Sequence, residues 1–199
     1  MSKGSAAKIR TIVAVAHDIG GAQAVYPVIP KLRRRRNLRV NVIAGGFAQK
    51  VFARFHAENI ASDWSESTID EYLEKNRPDL ILSGTSWKSQ LEQRFRNRAR
   101  SRNIPSVVVI DFWSDHPRRW HHAAYRFEDG QDRVCVPDPE TAEAMVNFGY
   151  SKELLYVTGH PHLERCFCRA ARQEPRSRAK RELAVLFLTI ELTALKLKA

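Results

Sequence analysis

Residues 9–22 read Ile9-Arg10-Thr11-Ile12-Val13-Ala14-Val15-Ala16-His17-Asp18-Ile19-Gly20-Gly21-Ala22. The stretch 9–16 is a β-branched, largely apolar run of strand length. His17-Asp18 breaks it, and the paired glycines lead into a segment with apolar residues at Ala22, Val25, Val28, Ile29 and Leu32, a helical spacing. A strand whose apolar run does not alternate with polar residues has both faces covered, which is the habit of a parallel sheet lying between helices. Strand, glycine turn and helix therefore form the unit from which the fold can be extended.

The same unit recurs along the chain. Pro27 and Pro30 sit inside the first helical segment and predict either a kink or a late start with Pro27 in the first turn. Residues 39–44 read as the second strand, closed by Gly45-Gly46, and 49–56 as a short helix with Val51, Phe52 and Phe55 inward. A helix follows over 66–76, with Ile69, Tyr72 and Leu73 on one face and Ser65 or Ser67 as its cap. Residues 80–82 are a strand, 87–102 a helix with the stripe Leu91, Phe95 and Ala99, and 106–110 a strand ending at Asp111. After a long loop over 112–133 come a strand at 134–136, a helix over 139–148 opened by Asp138 and closed by Gly149, and a strand at 154–158. About six alternations of strand and helix give a doubly wound, mostly parallel, Rossmann-like α/β sheet. Ligands of such sheets lie beyond the carboxyl ends of the strands, so the candidate loops are 17–21, 45–48, 83–88, 111–128 and 159–162.

The expected organisation is a tail over 1–8, the Rossmann-like domain over 9–161, a basic helical linker over 162–183, and 184–199 as the remnant of a second domain or a C-terminal tail. The run Ala184-Val185-Leu186-Phe187-Leu188-Thr189 resembles a fresh first strand. The chain is thus expected to be the front half of a two-domain enzyme. No run approaches the roughly 20 apolar residues of a membrane helix, and three cysteines, Cys135, Cys166 and Cys168, suit a reducing compartment. These features predict a cytoplasmic protein.

The net charge is +11, with 33 Lys and Arg against 22 Asp and Glu. The cations concentrate at Arg33 to Arg36, at Arg94, Arg96, Arg98, Arg100 and Arg102, and from Arg165 to Arg181, whereas residues 63–79 are net acidic. Solvated helix faces are the expectation for these clusters, and nucleic acid is not expected as a partner. Attraction to acidic lipid headgroups stays open, with peripheral contact at the inner face of a membrane.

Several residues carry candidate chemistry. His17 titrates near neutrality and is either a general base or a polar residue of a tight turn. Gly20 and Gly21 let backbone amides approach a ligand, and the helix beyond them favours an anion. Gly84-Thr85-Ser86 reads as a helix opening that either binds an anion or simply caps the helix. Asp111 ends a strand, and Asp115, His116, His121 and His122 follow it among aromatics, which suggests a polar substrate loop. The spacing of these groups, and of His160, His162, Cys166 and Cys168, matches no standard ligand pattern, so no metal and no cofactor is expected.

Val157-Thr158-Gly159-His160-Pro161 resembles the interdomain hinge of the GT-B superfamily, with histidine where asparagine is usual. Gly20-Gly21-Ala22 followed by Pro27, Pro30 and Leu32 is similar to the glycine turn and helix that open many GT-B N-terminal domains. Asp138-Pro139-Glu140 before a helix ending in Phe148-Gly149-Tyr150 fits a late helix of the same domain. The superfamily includes peptidoglycan N-acetylglucosaminyl transferases, UDP-N-acetylglucosamine 2-epimerases and transferases of surface-polymer assembly. The resemblance implies an acceptor-side half-site, inactive alone, in an enzyme that uses a nucleotide-sugar and a hydroxyl acceptor, the other half coming from a second domain or a partner chain. It implies His17 as base with Asp18 orienting it, Gly20, Gly21, Gly84 and Thr85 lining the cleft, and Asp111, His116 and His160 on the substrate side. A non-catalytic basic module that binds a partner protein, an acidic membrane surface or nucleic acid is the alternative.

Overall fold

In the computed structural model, which describes residues 9–60, 64–87, 89–112, 126–128 and 130–171, the first apolar run forms strand β1, Arg10–Ala16. Successive side chains of a strand point to opposite faces. Ile12, Ala14 and Ala16 therefore enter one core cluster and Val13 and Val15 another. Both faces are apolar because both are covered by helices.

β1 lies parallel between β2 (Leu38–Ala44) and β4 (Leu80–Ser83). With β3 (Glu58–Asn59), β5 (Ser106–Val109), β6 (Asp132–Val136) and β7 (Leu155–Val157), the sheet runs β3-β2-β1-β4-β5-β6-β7. Every pairing is parallel. Helices α1 (Ile19–Val25), α2 (Val28–Arg33) and α3 (Ala48–Phe52) cover one face through Ala22, Val25, Ile29 and Phe52. Helices α4 (Glu66–Asn76) and α5 (Leu91–Arg100) cover the other through Ile69, Leu73, Phe95 and Ala99. Helix α6 (Pro139–Asn147) seats Met145 against Val108 and Val134. Helix α7 (Pro161–Ala171) returns to α1, where the Arg165 guanidinium lies 4.4 Å from the Tyr26 ring centre.

Local chemistry explains most boundaries. The prolines break the first helical segment rather than kink it: α1 stops at Val25, and Pro27 is the N-cap of α2. Ser65 caps α4 by accepting the Thr68 N–H at 3.1 Å. Asp138 does the same for α6, accepting from Thr141 at 2.7 Å with Pro139 in the first turn. Gly149 follows α6 at φ +102°, a left-handed position that favours glycine, and lets Tyr150 N–H reach back to the Met145 carbonyl.

Of the boundaries that differ from the sequence expectation, two have a clear local cause. Helix α5 begins at Leu91 rather than at 87, because Trp87 N–H is held by Asp18 and Ser89 Oγ takes the Leu91 N–H. Strand β6 begins at Asp132, two residues before the expected start, because that carboxylate is buried and accepts from Ser106, Glu128 N–H and Arg100. The expected loop over 112–133 lies outside the described residues for most of its length.

The arginines of α5 are not a solvated face. Arg98 pairs with Asp70 and Glu66, Arg102 with Asp70 and Glu74, and Arg100 with Asp132 and Glu128. The hydrogen bond from Arg98 is the main reason the Asp70 carboxyl lies below its usual range. The acidic stretch at 63–79 is thus matched by the basic helix packed beside it.

The strand order reverses direction between β1 and β4, and the chain segments leaving those two strands meet there. A Cβ on Gly84 would lie 2.5 Å from Gly21 Cα, and one on Gly21 would lie 2.5 Å from the Thr85 carbonyl oxygen. Backbone faces backbone, so no side-chain rotation can relieve the clash. Gly84→Ala is expected to lower the unfolding free energy by about 1–3 kcal/mol, the usual cost of overpacking, read as a lower urea midpoint at unchanged slope.

Candidate functional site

The turn after β1 presents His17 at the carboxyl edge of the sheet, where a doubly wound fold opens its crevice. Its main chain is fixed on both sides: His17 N–H donates to Glu92 Oε1 at 2.8 Å, and Ala48 N–H donates to the His17 carbonyl at 2.9 Å. Its ring rests on Gly45 and Gly46, the second at φ +46°; a Cβ on Gly46 would sit 2.6 Å from the ring. Nδ1 lies 2.7 Å from Asp18 Oδ1. A carboxylate oxygen only accepts, so Nδ1 carries the proton and Nε2 of the neutral ring holds the lone pair. Nε2 makes no hydrogen bond among the described residues.

Asp18 is the N-cap of α1 but does not cap it with its side chain. Its Oδ2 accepts the Trp87 N–H at 2.9 Å, and its own N–H donates to Ser86 Oγ at 3.2 Å. Gly84-Thr85-Ser86 is not a helix opening, since α5 starts at Leu91. Thr85 instead donates its hydroxyl to Asp111 Oδ1 at 2.9 Å.

Asp111 follows β5 and closes the far side of the constellation. A Cβ on Gly20 would meet Asp111 Oδ2 at 1.9 Å, so Gly20 is small because a carboxylate stands over it. His160 Nε2 donates to the Asp111 carbonyl at 3.0 Å, which ties the tract after β7 to the same loop. The structure therefore brings together His17, Asp18, Gly20, Gly21, Gly84, Thr85, Asp111 and His160. His116 lies outside the described residues. His162 Nε2 and Cys166 Sγ stand 3.7 Å apart on α7. Burial, with help from His160 and Arg165, holds the His162 imidazole below its ordinary value. Among the described residues no three His, Cys, Asp or Glu side chains gather as a metal site.

One residue escaped the sequence reading. Glu92, in the first turn of α5, is fully buried. Ser86 Oγ donates to its Oε1 at 2.5 Å, alongside His17 N–H, while its Oε2 has no hydrogen-bond partner among the described residues. Loss of solvent pushes its carboxyl above the usual glutamate range, against the opposing pull of those two bonds and of Arg96. The available signal was its place beside Leu91 on the helix, but a glutamate among five arginines reads as surface.

The sequence model of the family described as monogalactosyldiacylglycerol (MGDG) synthase matches residues 41–161. The chain belongs to this family. No curated protein sequence matches it. Among solved structures it resembles UDP-GlcNAc 2-epimerase from Neisseria meningitidis bound to UDP-GlcNAc, with a TM-score of 0.63 at 14% identity over 81% of this chain and 50% of that one. The Methanocaldococcus jannaschii UDP-GlcNAc 2-epimerase in complex with UDP-GlcNAc and UDP gives 0.59 at 12% identity, over 82% and 51%. The enzyme from Rickettsia bellii gives 0.58 at 14%, over 83% and 50%. These likenesses show the fold, a GT-B N-terminal domain as the hinge and glycine turn implied. The chain spans about half the length of each of these relatives.

Glu92 makes stability depend on pH in a definite sense. A folded-state pKa above the unfolded one means the native chain holds the extra proton between the two values. Stability from this group is full below the ordinary glutamate range and falls as pH rises toward the raised value. Glu92→Gln has no proton to lose. Urea titrations across that window are expected to show the variant gaining on the wild type as pH rises.

Proposed function

We propose that this domain is the acceptor-side lobe of a sugar-transfer enzyme whose donor is a UDP-sugar and whose acceptor is a lipid hydroxyl of the diacylglycerol kind. The family match supports transfer to such a lipid, and the ligands named for the solved relatives support a uridine diphosphate donor. The observation that carries the reading is the His17–Asp18 pair at 2.7 Å, with Nε2 of His17 left without a partner among the described residues. A base oriented by a third group is the arrangement that activates a weak hydroxyl nucleophile.

In this reading Nε2 takes the acceptor proton as the hydroxyl oxygen bonds to the anomeric carbon. The bond from that carbon to the diphosphate oxygen breaks, and UDP departs with the electron pair. Asp18 keeps Nδ1 protonated and steadies the imidazolium that forms. Asp111 holds the acceptor, while Thr85, itself buried, fixes that carboxylate through its hydroxyl, and Gly20 leaves room beside it. The opposite lobe supplies the diphosphate contacts, so the isolated chain binds weakly and turns over nothing. The lobe works on the cytoplasmic side of the membrane that holds its acceptor.

A second reading rests on the groove between α2 and α7, about 510 Å³, edged by Lys31, Arg34, Arg54, Arg165 and Arg169 around Tyr26. Arg54 and Arg165 both lie over the Tyr26 ring. These cations, unlike those of α5, surround an open concavity, which favours docking to an acidic lipid surface. The two readings are compatible.

Turnover of UDP-galactose with diacylglycerol by the isolated chain would overturn the half-site reading. When a second lobe of the family is supplied, His17→Ala is expected to cut transfer by roughly 10²–10⁴, the usual worth of a positioned base, with Asp18→Asn also impaired. Sedimentation with anionic vesicles is expected to weaken steeply with salt and in the Arg54→Glu/Arg165→Glu variant. Stronger retention of nucleic acid than of vesicles would count against a lipid surface.

A further inference from the structure

We infer that Glu92 is a positioning residue for the His17–Asp18 pair, clamping the turn after β1 to the loop after β4 from beneath the sheet's reversal point. The inference rests on the reading of His17 as the base, and it adds a residue that touches neither substrate nor reacting atoms.

The bonds form a closed circuit. Glu92 Oε1 accepts from His17 N–H at 2.8 Å and from Ser86 Oγ at 2.5 Å. Ser86 Oγ in turn accepts from Asp18 N–H at 3.2 Å, and the next residue, Trp87, donates its N–H to Asp18 Oδ2 at 2.9 Å. Asp18 Oδ1 closes the ring at His17 Nδ1. One carboxyl oxygen thus joins both ends of the circuit, and the imidazole has little freedom left once its main chain is held by Glu92 and Ala48.

Packing alone does not call for a glutamate here. Helix α5 is already seated by Leu91, Phe95 and Ala99, and a buried carboxyl is costly unless its bonds are needed. An apolar residue would fill the volume, but it would leave the His17 N–H and the Ser86 hydroxyl buried without an acceptor. Oε2 is buried and has no hydrogen-bond partner among the described residues, so the contacts to the turn and to the loop both run through Oε1. The charged or titratable groups around Glu92 are His17 and Asp18 from the turn and Arg96 from its own helix. The Arg96 guanidinium donates to Ser83 and Gln93, and its charge also acts on the Glu92 carboxyl.

The test uses the full chain and needs neither donor nor acceptor, so it stands or falls separately from the transfer reading. Amide hydrogen exchange and the ring nitrogen resonances of His17 are followed in Glu92→Leu and Glu92→Gln. In Glu92→Leu, exchange at His17 is expected to speed up about tenfold or more relative to Val13 and Ile81, and the Nδ1 resonance to move as its bond to Asp18 loosens. Glu92→Gln keeps an acceptor oxygen and is expected to restore both toward wild type. A folded Glu92→Leu with unchanged His17 signals overturns the inference, as does a Glu92→Gln that exchanges as fast as Glu92→Leu. Should Glu92→Leu fail to fold, Ser86→Ala removes one donor to Oε1 and the acceptor of Asp18 N–H. It is expected to move the same signals by a smaller amount, and unchanged signals there overturn the inference.

Discussion

The contact between the Gly21 and Gly84 backbones is the constraint on which the site depends. Parallel sheets reverse direction by sending one crossover to each face, and the two departing segments normally diverge to leave a crevice. Here they touch at their base. That contact fixes the separation of the turn carrying His17 and Asp18 from the loop carrying Thr85 and Ser86, and hydrogen bonds from Asp18 to Ser86 and Trp87 span the gap. Gly20 extends the same logic outward, giving room to the Asp111 carboxylate, while the Gly45-Gly46 surface supports the imidazole. Five glycines, Gly20, Gly21, Gly45, Gly46 and Gly84, thus define a floor beside the titratable groups of the site.

The basic composition resolves into two populations with different physics. Arg98 and Arg100 of α5, with Arg102 just after it, pair with Asp70, Glu66, Glu74, Glu128 and Asp132, and they bind helices and sheet to one another. Such pairs contribute little individually when exposed. Asp132 is an exception in kind, since it is buried and draws on three elements at once. The cations around Tyr26 have only Glu164 as a described ion-pair partner, through Lys31. Formal charge by itself therefore overstates the surface available to a polyanion.

Much of the architecture was legible because it follows from periodicity. The apolar runs at 9–16, 39–44 and 106–110 mark buried parallel strands, and Ser65, Asp138 and Gly149 mark helix ends by known capping chemistry. What was not legible depended on contacts between distant segments. Glu58–Asn59 has no apolar pattern and becomes a strand only because β2 offers an edge. Trp87 looks helical until Asp18 takes its N–H. Site residues at strand ends could be named from their position in the fold, but Glu92 could not. Its spacing of three and seven residues from Phe95 and Ala99 puts it on the buried face, but its charge, set among arginines, masks that signal.

The outermost strands are the shortest ones, two residues in β3 and three in β7. A margin that brief exposes few main-chain donors and acceptors in register, so another polypeptide gains little by zipping onto it. β1 has a parallel partner on each side, whereas β2 meets β3 only at Ile43 and Ala44, and farther back along that strand the Arg33 guanidinium donates to the Val40 carbonyl. The lobe thus carries a strongly apolar sheet whose terminal strands, even where Tyr156 and Val157 are displayed on the rim, offer little continuous backbone to a neighbour.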